Sequence, residues 1–346
     1  MNATTKFALA IGAGAAVLLA RRVLWRGAPY SFRGKSVLIT GGSRGLGLVL
    51  ARELAAEGAQ LTLVARDAAE LDRARAELAA EGAAVQGFAA DVREEAQARS
   101  AVERAVERYG SIDVLVNNAG VIQAGPVEHM QLADFEDAMA THMWGALYTM
   151  RAALPHMRAQ GGGRIVNISS IGGKVAVPHL VPYTTSKFVL AGLSDGMRAE
   201  LAKDNIAVTT VFPGLMRTGS HFNALFKGQH SKEFTWFSLL DALPISSVSA
   251  ESAARQIAEA ARQGRPQLVI SIQAKALALL AQQLPGLSAG ALKLMNRLLP
   301  APTGAAGDQS KPGRASQSAL APSLLTSLAD RAAAENNGLG AREAGA

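Results

Sequence analysis

Residues 36–47 read SVLITGGSRGLG, and this stretch decides the fold class. Its first five residues form an apolar, β-branched run that predicts a buried strand, and residues 46–57 repeat apolar side chains at helical spacing. Glycines between a strand and a helix let backbone amides approach a pyrophosphate closely, and the helix N-terminus adds a favourable dipole. The turn therefore indicates a dinucleotide site, although an ordinary tight turn has the same composition.

The alternation that begins at this turn continues to about residue 272. Short β-branched runs alternate with Ala-, Glu- and Arg-rich stretches of helical periodicity. This pattern predicts an α/β protein of the Rossmann type, with a doubly wound parallel sheet of about seven strands and helices on both faces. The predicted strands are 36–40, 60–65, 84–89, 112–116, 164–169, 206–212 and 267–271, and the predicted helices are 46–57, 68–80, 94–109, 132–158, 183–203 and 250–262.

The end of the second predicted strand indicates which nucleotide the site prefers. A dinucleotide fold that prefers NAD places an acid there to bind the ribose 2′-hydroxyl. This chain has Ala65 followed by Arg66, and Arg44 lies inside the glycine turn. Two guanidinium groups favour a 2′-phosphate and therefore NADP. Asp67 is interpreted as the N-cap of the next helix, a position that favours aspartate.

Composition excludes several classes of protein. The chain has 346 residues and is 49% hydrophobic, which excludes a wholly disordered chain. The absence of cysteine excludes a disulfide scaffold, a thiolate zinc site and a cysteine nucleophile. No histidine spacing is typical of a metal site, so no metal is predicted. Residues 1–35 hold six basic residues and no acid, which accounts for nearly all of the net charge of +7 and argues against a nucleic-acid partner for the folded region.

Residues 1–33 are predicted to attach the protein to a membrane through an N-terminal apolar helix. Residues 7–20 are uncharged, and Arg21, Arg22, Trp25 and Arg26 follow them. A spanning helix needs roughly 20 apolar residues, so this one spans only if the arginine stems and Trp25 reach the interface. The positive-inside bias then keeps the rest of the chain on the cytoplasmic face. A helix that packs on the domain of a soluble cytoplasmic protein is the alternative.

The segments after the alternating region have a different character. Residues 273–299 are Leu-rich and interrupted by Pro285 and Gly286, which predicts two short amphipathic helices that cover the sheet or lie on a membrane. Residues 300–346 are rich in Ala, Gly, Ser and Pro. They are predicted to be a disordered tail, with a transient helix at 323–334.

The pattern at this point resembles the short-chain dehydrogenase/reductase family in its single-domain form, over residues 34–272. Four motifs in the family's order carry the resemblance, and Ser170 precedes Tyr183 by the family's 13 residues. The motifs are TGxxxGxG at 40–47, NNAG at 117–120, the serine with YxxxK at Ser170, Tyr183 and Lys187, and PG with a following threonine at Pro213, Gly214 and Thr218.

The resemblance and the glycine turn together predict the cofactor site. The bound nucleotide is expected to be NADP, and the family implies that Lys187 holds the nicotinamide ribose and that Asp91 contacts the adenine side. Asp91 could equally cap the following helix. The predicted cofactor-binding residues are Gly41, Ser43, Arg44, Gly45, Leu46, Gly47, Arg66, Asp91, Val92, Asn118, Ala119, Gly120, Tyr183, Lys187, Pro213, Gly214 and Thr218.

The chemistry of the YxxxK pair can be argued from the residues themselves. Tyr183 and Lys187 are four apart and share one face of a helix. A neighbouring ammonium stabilises the phenolate and lowers the tyrosine pKa, which makes the phenol an acid–base catalyst. Ser170, at the end of a strand, can hydrogen-bond the substrate oxygen. The expected reaction is hydride transfer to a carbonyl carbon with proton donation from Tyr183 to its oxygen.

One departure from the family concerns a proton relay to the lysine. The family's asparagine in an NxxG pattern is replaced by His142, which precedes Gly145 by three residues. Histidine can hydrogen-bond and relay protons, so His142 is a catalytic candidate. A satisfied structural histidine is the alternative.

The segment at 219–248 is where the family places a substrate lid. It is rich in aromatic and leucine side chains, which suits a bulky lipid-, steroid- or retinoid-like carbonyl or alcohol, although lid packing or a dimer contact explains the same residues. The resemblance also implies a homo-oligomer, a dimer or tetramer. One rival function is an NAD-preferring alcohol dehydrogenase. Another is a catalytically silent, membrane-tethered NADP-binding regulator, but the presence of Ser170, Tyr183 and Lys187 together argues against that regulator.

Overall fold

The computed structural model describes residues 30–243 and 246–339. The predicted N-terminal helix within residues 1–33 lies almost wholly outside the described residues. A seven-stranded sheet forms the centre, with every pairing parallel and the strand order β7-β6-β5-β4-β1-β2-β3. Its strands are β1 Ser36–Thr40, β2 Gln60–Ala65, β3 Val85–Ala89, β4 Val114–Asn117, β5 Gly163–Ile168, β6 Ile206–Pro213 and β7 Gln267–Ile270.

This topology confirms the predicted doubly wound α/β fold. The strand order reverses between β1 and β4, and ligands of such folds bind beyond the carboxyl ends of the strands at this switch point. β1 lies at the middle of the sheet, with Val37 paired to Leu61 on one side and Val114 on the other, and all five of its residues are buried. Burial on both faces explains why the strand is a continuous apolar run.

Helices cover the sheet and connect its strands. Most begin and end within two residues of the predicted positions, because glycines such as Gly110 in the left-handed conformation end them. The helices are α1 Gly45–Ala56, α2 Ala68–Ala80, α3 Glu95–Tyr109, α4 Leu132–Met139, α5 Gly145–Ala159, α6 Val181–Leu201, α7 His230–Ala242, α8 Ala250–Arg262, α9 Ile272–Gln283, α10 Pro285–Leu298 and α11 Ser327–Glu335.

The single long helix predicted over 132–158 is instead divided. A π-helical turn, Ala140–Trp144, separates α4 from α5 and contains His142. Such a turn inserts one extra residue into the helical register and is frequent at functional sites. Apolar periodicity does not reveal it, because the helices on either side keep their buried faces.

The interrupted apolar segment forms two short helices, α9 and α10, as predicted from Pro285 and Gly286. The two helices pack against each other, and Pro285 opens α10 at a position where its missing amide is tolerated. Several large apolar side chains of this hairpin are exposed: Ile272, Leu277, Leu279, Leu284, Leu287, Leu294 and Leu298. No helix within the described residues is long and apolar enough to cross a membrane.

The segment from residue 300 differs from the predicted disordered tail in its described part, residues 300–339. It follows the surface of the domain through a short strand, Lys311–Pro312, that pairs with Leu225–Phe226, and then forms α11. Specific polar contacts hold it, such as His129 Nδ1 at 2.8 Å from Asp308. Because the contacts come from individual side chains and not from a periodic apolar face, composition does not predict them.

Candidate active site

The glycine turn after β1 brings helix α1 very close to the sheet. A Cβ atom on Gly47 would lie 2.1 Å from the carbonyl oxygen of Gly41 and 2.6 Å from Nδ2 of Asn118. Gly41 itself has a φ of +65°, which L side chains rarely adopt. Only glycine therefore permits this approach, which is the geometry a dinucleotide pyrophosphate requires.

The NNAG motif after β4 holds the glycine turn in place. Asn118 Nδ2 donates to the carbonyl oxygens of Thr40 and Gly41, both at 3.1 Å. The amides of Asn118 and Ala119 donate to the Thr40 hydroxyl at 3.0 and 3.1 Å. A Cβ on Gly120 would lie 3.1 Å from Nε2 of His142, so this glycine makes room for the histidine.

Tyr183 and Lys187 lie one turn apart on α6, and Ser170 lies just beyond β5. The Lys187 ammonium donates to the carbonyl of Ile168 at 2.9 Å and lies 5.6 Å from the centre of the Tyr183 ring. The Ser169 hydroxyl donates to the Lys187 carbonyl at 2.9 Å and thereby joins β5 to α6. Burial lowers the pKa of Lys187 to about 7.

The pKa of Tyr183 is raised, and not lowered as predicted from the neighbouring lysine, so the phenol stays protonated near neutral pH. Burial raises its pKa, a hydrogen bond with Ser170 acts in the opposite direction, and the charge of Asp241 raises the pKa further. The Ser170 hydroxyl also accepts the amide of Gly172 at 3.1 Å, which fixes its position at the start of a short helical turn. The structure thus brings together the three residues that the sequence singles out.

His142 is neutral, and both of its ring nitrogens have partners. Burial and the charge of Lys187 hold its pKa well below the ordinary value. Nε2 accepts the amide of Val121 at 3.1 Å, and Nδ1 lies 2.7 Å from the Ser186 hydroxyl, which in turn donates to the Tyr183 carbonyl at 2.8 Å. The proton therefore belongs on Nδ1. These partners are those of a structural histidine, and a relay through it to Lys187 stays a prediction.

The adenosine end of the site carries charges of both signs. Arg44 Nη1 pairs with the Glu70 carboxylate at 2.7 and 3.0 Å, whereas Arg66 is exposed and has no hydrogen bond or ion pair among the described residues. Arg73 also lines this end. Asp67 Oδ1 accepts the amide of Glu70 at 2.9 Å, which confirms it as the N-cap of α2.

Asp91 and Val92 follow β3 at the same edge of the sheet. Arg93 donates to both carboxylate oxygens of Asp91; although burial raises the pKa of Asp91, these bonds lower it on balance. The N-cap of α3 is Glu94, so Asp91 does not cap that helix. Val92 packs tightly against α5, where a Cβ on Gly145 would lie 2.9 Å from it.

The opposite wall of the site comes from the end of β6. The amide of Gly214 donates to Ile270 at 3.3 Å, and the backbone oxygen of Thr218 lies 3.7 Å from the position of a Cβ on Gly45. Pro213, Gly214 and Thr218 thus face the glycine turn across a cleft of about 1360 Å³ that reaches Ser170, Tyr183 and Lys187.

The aromatic residues of the lid divide into two groups. Phe222, Phe226 and Phe234 are buried against one another and form the lid's own core. Other apolar side chains of the lid and of the α9–α10 hairpin line the cleft: Trp236, Phe237, Leu240, Leu277, Leu292 and Met295. Packing thus accounts for the first group, and the second gives the substrate end an apolar surface.

Several residues of the site carry no recognisable signal in the sequence. Glu70 stands three residues after the N-cap Asp67, which is capping-box spacing, but nothing in the sequence indicated its pairing with Arg44. Ser186 and Arg93 carry no motif. Asn336 and Asn337 reach the glycine turn from more than 280 residues away, as shown by the bond between the Gly45 amide and the Asn336 carbonyl at 2.9 Å.

Comparison with known proteins agrees with this geometry. The family model described as short chain dehydrogenase matches residues 35–225. The chain belongs to the short-chain dehydrogenase family. A dehydrogenase/reductase SDR family protein 7-like from Anopheles gambiae is 36% identical over 197 residues, which is 56% of this chain and 62% of that protein.

Two solved structures are also similar to the chain. L-Sorbose reductase from Gluconobacter frateurii, complexed with NADPH and L-sorbose, has a TM-score of 0.63 and 28% identity, covering 70% of this chain and 96% of that one. A short-chain dehydrogenase/reductase from Burkholderia phymatum in complex with NAD has a TM-score of 0.67 and 23% identity, covering 75% and 96%, and shows the shared fold.

Proposed function

We propose that the protein is an NADP(H)-dependent oxidoreductase that interconverts a carbonyl group and a secondary alcohol on a bulky hydrophobic substrate. One observation carries this proposal: Ser170, Tyr183 and Lys187 converge on the same cleft that the glycine turn borders. Family membership supports the class of reaction. The relatives' names give substrates of several classes, so the substrate class proposed for this chain rests on the lining of the cleft.

Tyr183, Ser170 and Lys187 have different roles at the reacting carbonyl. Tyr183 donates a proton to the substrate oxygen in reduction, because its raised pKa keeps the phenol protonated at neutral pH. Ser170 hydrogen-bonds the same oxygen and orients it. Lys187, whose pKa is lowered to about 7, stabilises the phenolate that remains and can take up a proton near neutral pH.

The cofactor site fits a nicotinamide dinucleotide. The close approach of Gly41 and Gly47 leaves a cradle that a side chain would fill, and Lys187 lies near the catalytic tyrosine, where it can hold the nicotinamide ribose. When bound, the reduced nicotinamide supplies the hydride. Arg44, Arg66 and Arg73 at the adenosine end favour NADP by charge-assisted bonds to a 2′-phosphate.

A specific observation favours the rival preference for NAD. The Glu70 carboxylate pairs with Arg44 and so neutralises one of the guanidinium groups that a 2′-phosphate would need. Arg66 and Arg73 have no carboxylate partner among the described residues, which is why NADP is preferred here. A titration with NADPH and NADH in parallel separates the two alternatives.

The substrate proposal is tested with a panel of carbonyl compounds and alcohols. Long-chain ketones, steroid ketones and retinal are compared with small polar ketones at fixed NADPH concentration, and the oxidised nucleotides are tested with the matching alcohols. We expect kcat/KM to rise with apolar size, because the substrate end is lined by Trp236, Phe237 and the hairpin. Equal values for small polar and large apolar ketones would contradict it.

We also propose that the enzyme works at the cytoplasmic face of a membrane, as a homo-oligomer. Residues 1–33 supply the attachment, and the exposed leucines of the α9–α10 hairpin add a second apolar surface. A soluble cytoplasmic enzyme is the alternative. Chemical cross-linking at low protein concentration tests the oligomer independently of the membrane.

A further inference from the structure

The C-terminal residues 327–339, named the strap below, cross the nucleotide end of the cleft. The carbonyl oxygen of Asn336 accepts the amide of Gly45, in the first turn of α1, at 2.9 Å. The side chain of Asn337 donates to the carbonyl oxygens of Ser43 and Glu70 at 2.9 and 3.0 Å. The strap is thus bonded both to the glycine turn and to the helix beside the adenosine end.

Two arginines clamp the same two asparagines from the domain side. Arg52 of α1 donates to the Asn336 side-chain oxygen at 2.7 Å, and Arg73 of α2 donates to that of Asn337 at 3.0 Å. Arg52 also bonds the carbonyl of Glu335 at 2.8 Å. Asn336 is buried although it lies near the end of the described chain.

The strap is also bonded to the lid on the opposite wall. Asn223 donates to the carbonyl of Gly338 at 3.0 Å, and Gly338 itself lines the cleft. At Gly219, where the lid begins, a Cβ would lie 2.4 Å from the Cα of Ala333, so the lid and α11 are in direct contact. The strap therefore bridges the two walls between which the dinucleotide would lie.

Polar contacts predominate where the strap meets the glycine turn. Its fully buried apolar side chains are small, Ala329 and Ala333, and its one large packed side chain, Leu339, is only partly buried against the lid core, so limited apolar burial opposes its release. An element held by a few hydrogen bonds opens at low free energy compared with the core. Its carbonyl also occupies the Gly45 amide, one of the donors at a helix N-terminus that favour a phosphate.

We propose that the strap is the gate through which the nicotinamide nucleotide enters and leaves the cleft, with Asn336 and Asn337 as its positioning residues. The proposal rests on the nucleotide binding proposed above. Opening the strap frees the Gly45 amide and separates the glycine turn from the lid. Closing it restores the contacts of Asn337 with Ser43 and Glu70 and of Gly338 with the lid over the bound nucleotide, and so slows exchange.

The test measures nucleotide exchange in the full-length protein. Stopped-flow displacement follows the fluorescence of bound NADPH, or of NADH if that is the nucleotide the wild type binds. The Asn336→Ala/Asn337→Ala double variant should release nucleotide at least about tenfold faster and bind it faster, with a smaller change in Kd. Asn337→Asp keeps the side-chain volume and the oxygen that accepts from Arg73, but it replaces the donor NH2 group with a second oxygen. That oxygen repels the carbonyl oxygens of Ser43 and Glu70, so this variant should also speed release.

Asn296→Ala, on the exposed surface of α10, is the matched control and should leave both rates unchanged. Hydrogen exchange gives a readout other than activity: amides 330–339 should gain protection when nucleotide binds, and the double variant should lose that gain. Unchanged release in both folded variants would overturn the gate while leaving the proposed function intact. A wild type that binds neither nucleotide would overturn both.

Discussion

The environment of Tyr183 favours the protonated phenol, which is the form that reduction needs and alcohol oxidation does not. Burial and the charge of Asp241 raise its pKa, against the hydrogen bond with Ser170, while burial lowers the pKa of Lys187 to about 7. The phenol is therefore a proton donor over the neutral range, and the opposite reaction needs a phenolate that forms only at higher pH. Reduction is expected to lose rate as pH rises, and alcohol oxidation is expected to gain it.

Tyr183→Phe should abolish turnover and leave nucleotide affinity nearly unchanged. The substitution removes the proton donor and keeps the ring that meets His142 edge-on with centroids 5.5 Å apart. Loss of a positioned general acid typically reduces the rate by about 10²–10⁴-fold. Steady-state kinetics and a fluorescence titration measure the two effects. Tyr148→Phe, on α5 and stacked on Trp144, is the control, and turnover retained by Tyr183→Phe would assign the acid to another group.

The cofactor preference depends on Glu70 as much as on the arginines. Glu70→Gln removes a buried negative charge that pairs with Arg44, so it should increase the preference for NADPH over NADH. Arg66→Ala should decrease that preference. A charge-assisted bond contributes about 1.5–3 kcal/mol, so each change should alter the affinity ratio by about tenfold or more.

Parallel titrations of each variant with both nucleotides check this prediction. Arg75→Ala removes a cation from the same helix outside the cleft, where it pairs with Asp72, and serves as the control. If the ratio of affinities is the same in wild type, Glu70→Gln and Arg66→Ala, these charges do not select the nucleotide.

At the scale of elements, the sequence predicted the strands and helices whose bounds depend on interactions between neighbouring residues. The strands, most helix ends and the N-cap Asp67 followed from periodicity and from capping chemistry, because each depends on residues within one turn. The π-helical turn at His142 did not follow, since it depends on the amide of Val121 and on Ser186 in another helix. The order of the strap likewise depends on Arg52 and Arg73, which are remote in sequence.

The contact between lid and strap contains a buried histidine, His221, that faces two carboxylates. His221 lies 3.7 Å from Asp241 of α7 and 3.5 Å from Asp330 of α11, and its ring nitrogens have no hydrogen-bond partner among the described residues. Although burial lowers the pKa of His221, the two carboxylates raise it above its ordinary value. Its stabilising contribution is therefore fully present below about pH 6.5 and is lost as pH rises through the raised folded-state value.

His221→Asn should lower the urea midpoint more at pH 6 than at pH 8.5, because only the protonated ring attracts both carboxylates. The wild type should lose stability between these two pH values more steeply than the variant. His156→Asn, near the end of α5, controls for removal of a histidine elsewhere. Parallel pH profiles for wild type and His221→Asn would show that this cluster does not titrate in the range.

At the scale of the whole molecule, the α9–α10 hairpin lines one end of the cleft and also presents apolar side chains on the protein surface. Leu277 of α9 and Leu292 and Met295 of α10 line the cleft, while Leu279, Leu287 and Leu294 of the same helices are exposed. Residues 266–307 contain three basic residues, Lys275, Lys293 and Arg297, and no acid. An exposed apolar face with basic residues is typical of helices that lie on anionic lipid.

The full-length chain should therefore float with vesicles of phosphatidylcholine and phosphatidylserine, and a chain that begins at Ser31 should bind them weakly. The uncharged residues 7–20 contribute about 25 cal/mol per Å² of buried apolar surface, and each basic residue near an anionic leaflet adds about 1 kcal/mol. High salt should release the shorter chain, which depends on Lys275, Lys293 and Arg297, but not the full-length chain, because screening weakens charge contacts and leaves apolar burial intact.

Leu287→Glu/Leu294→Glu in the shorter chain should abolish the remaining binding, with Gln282→Glu/Asn296→Glu on the same helices as the control for added charge. A full-length protein that stays in the supernatant at low salt without detergent would contradict membrane attachment, and residues 1–33 would then be assigned to packing on the domain or on a second subunit.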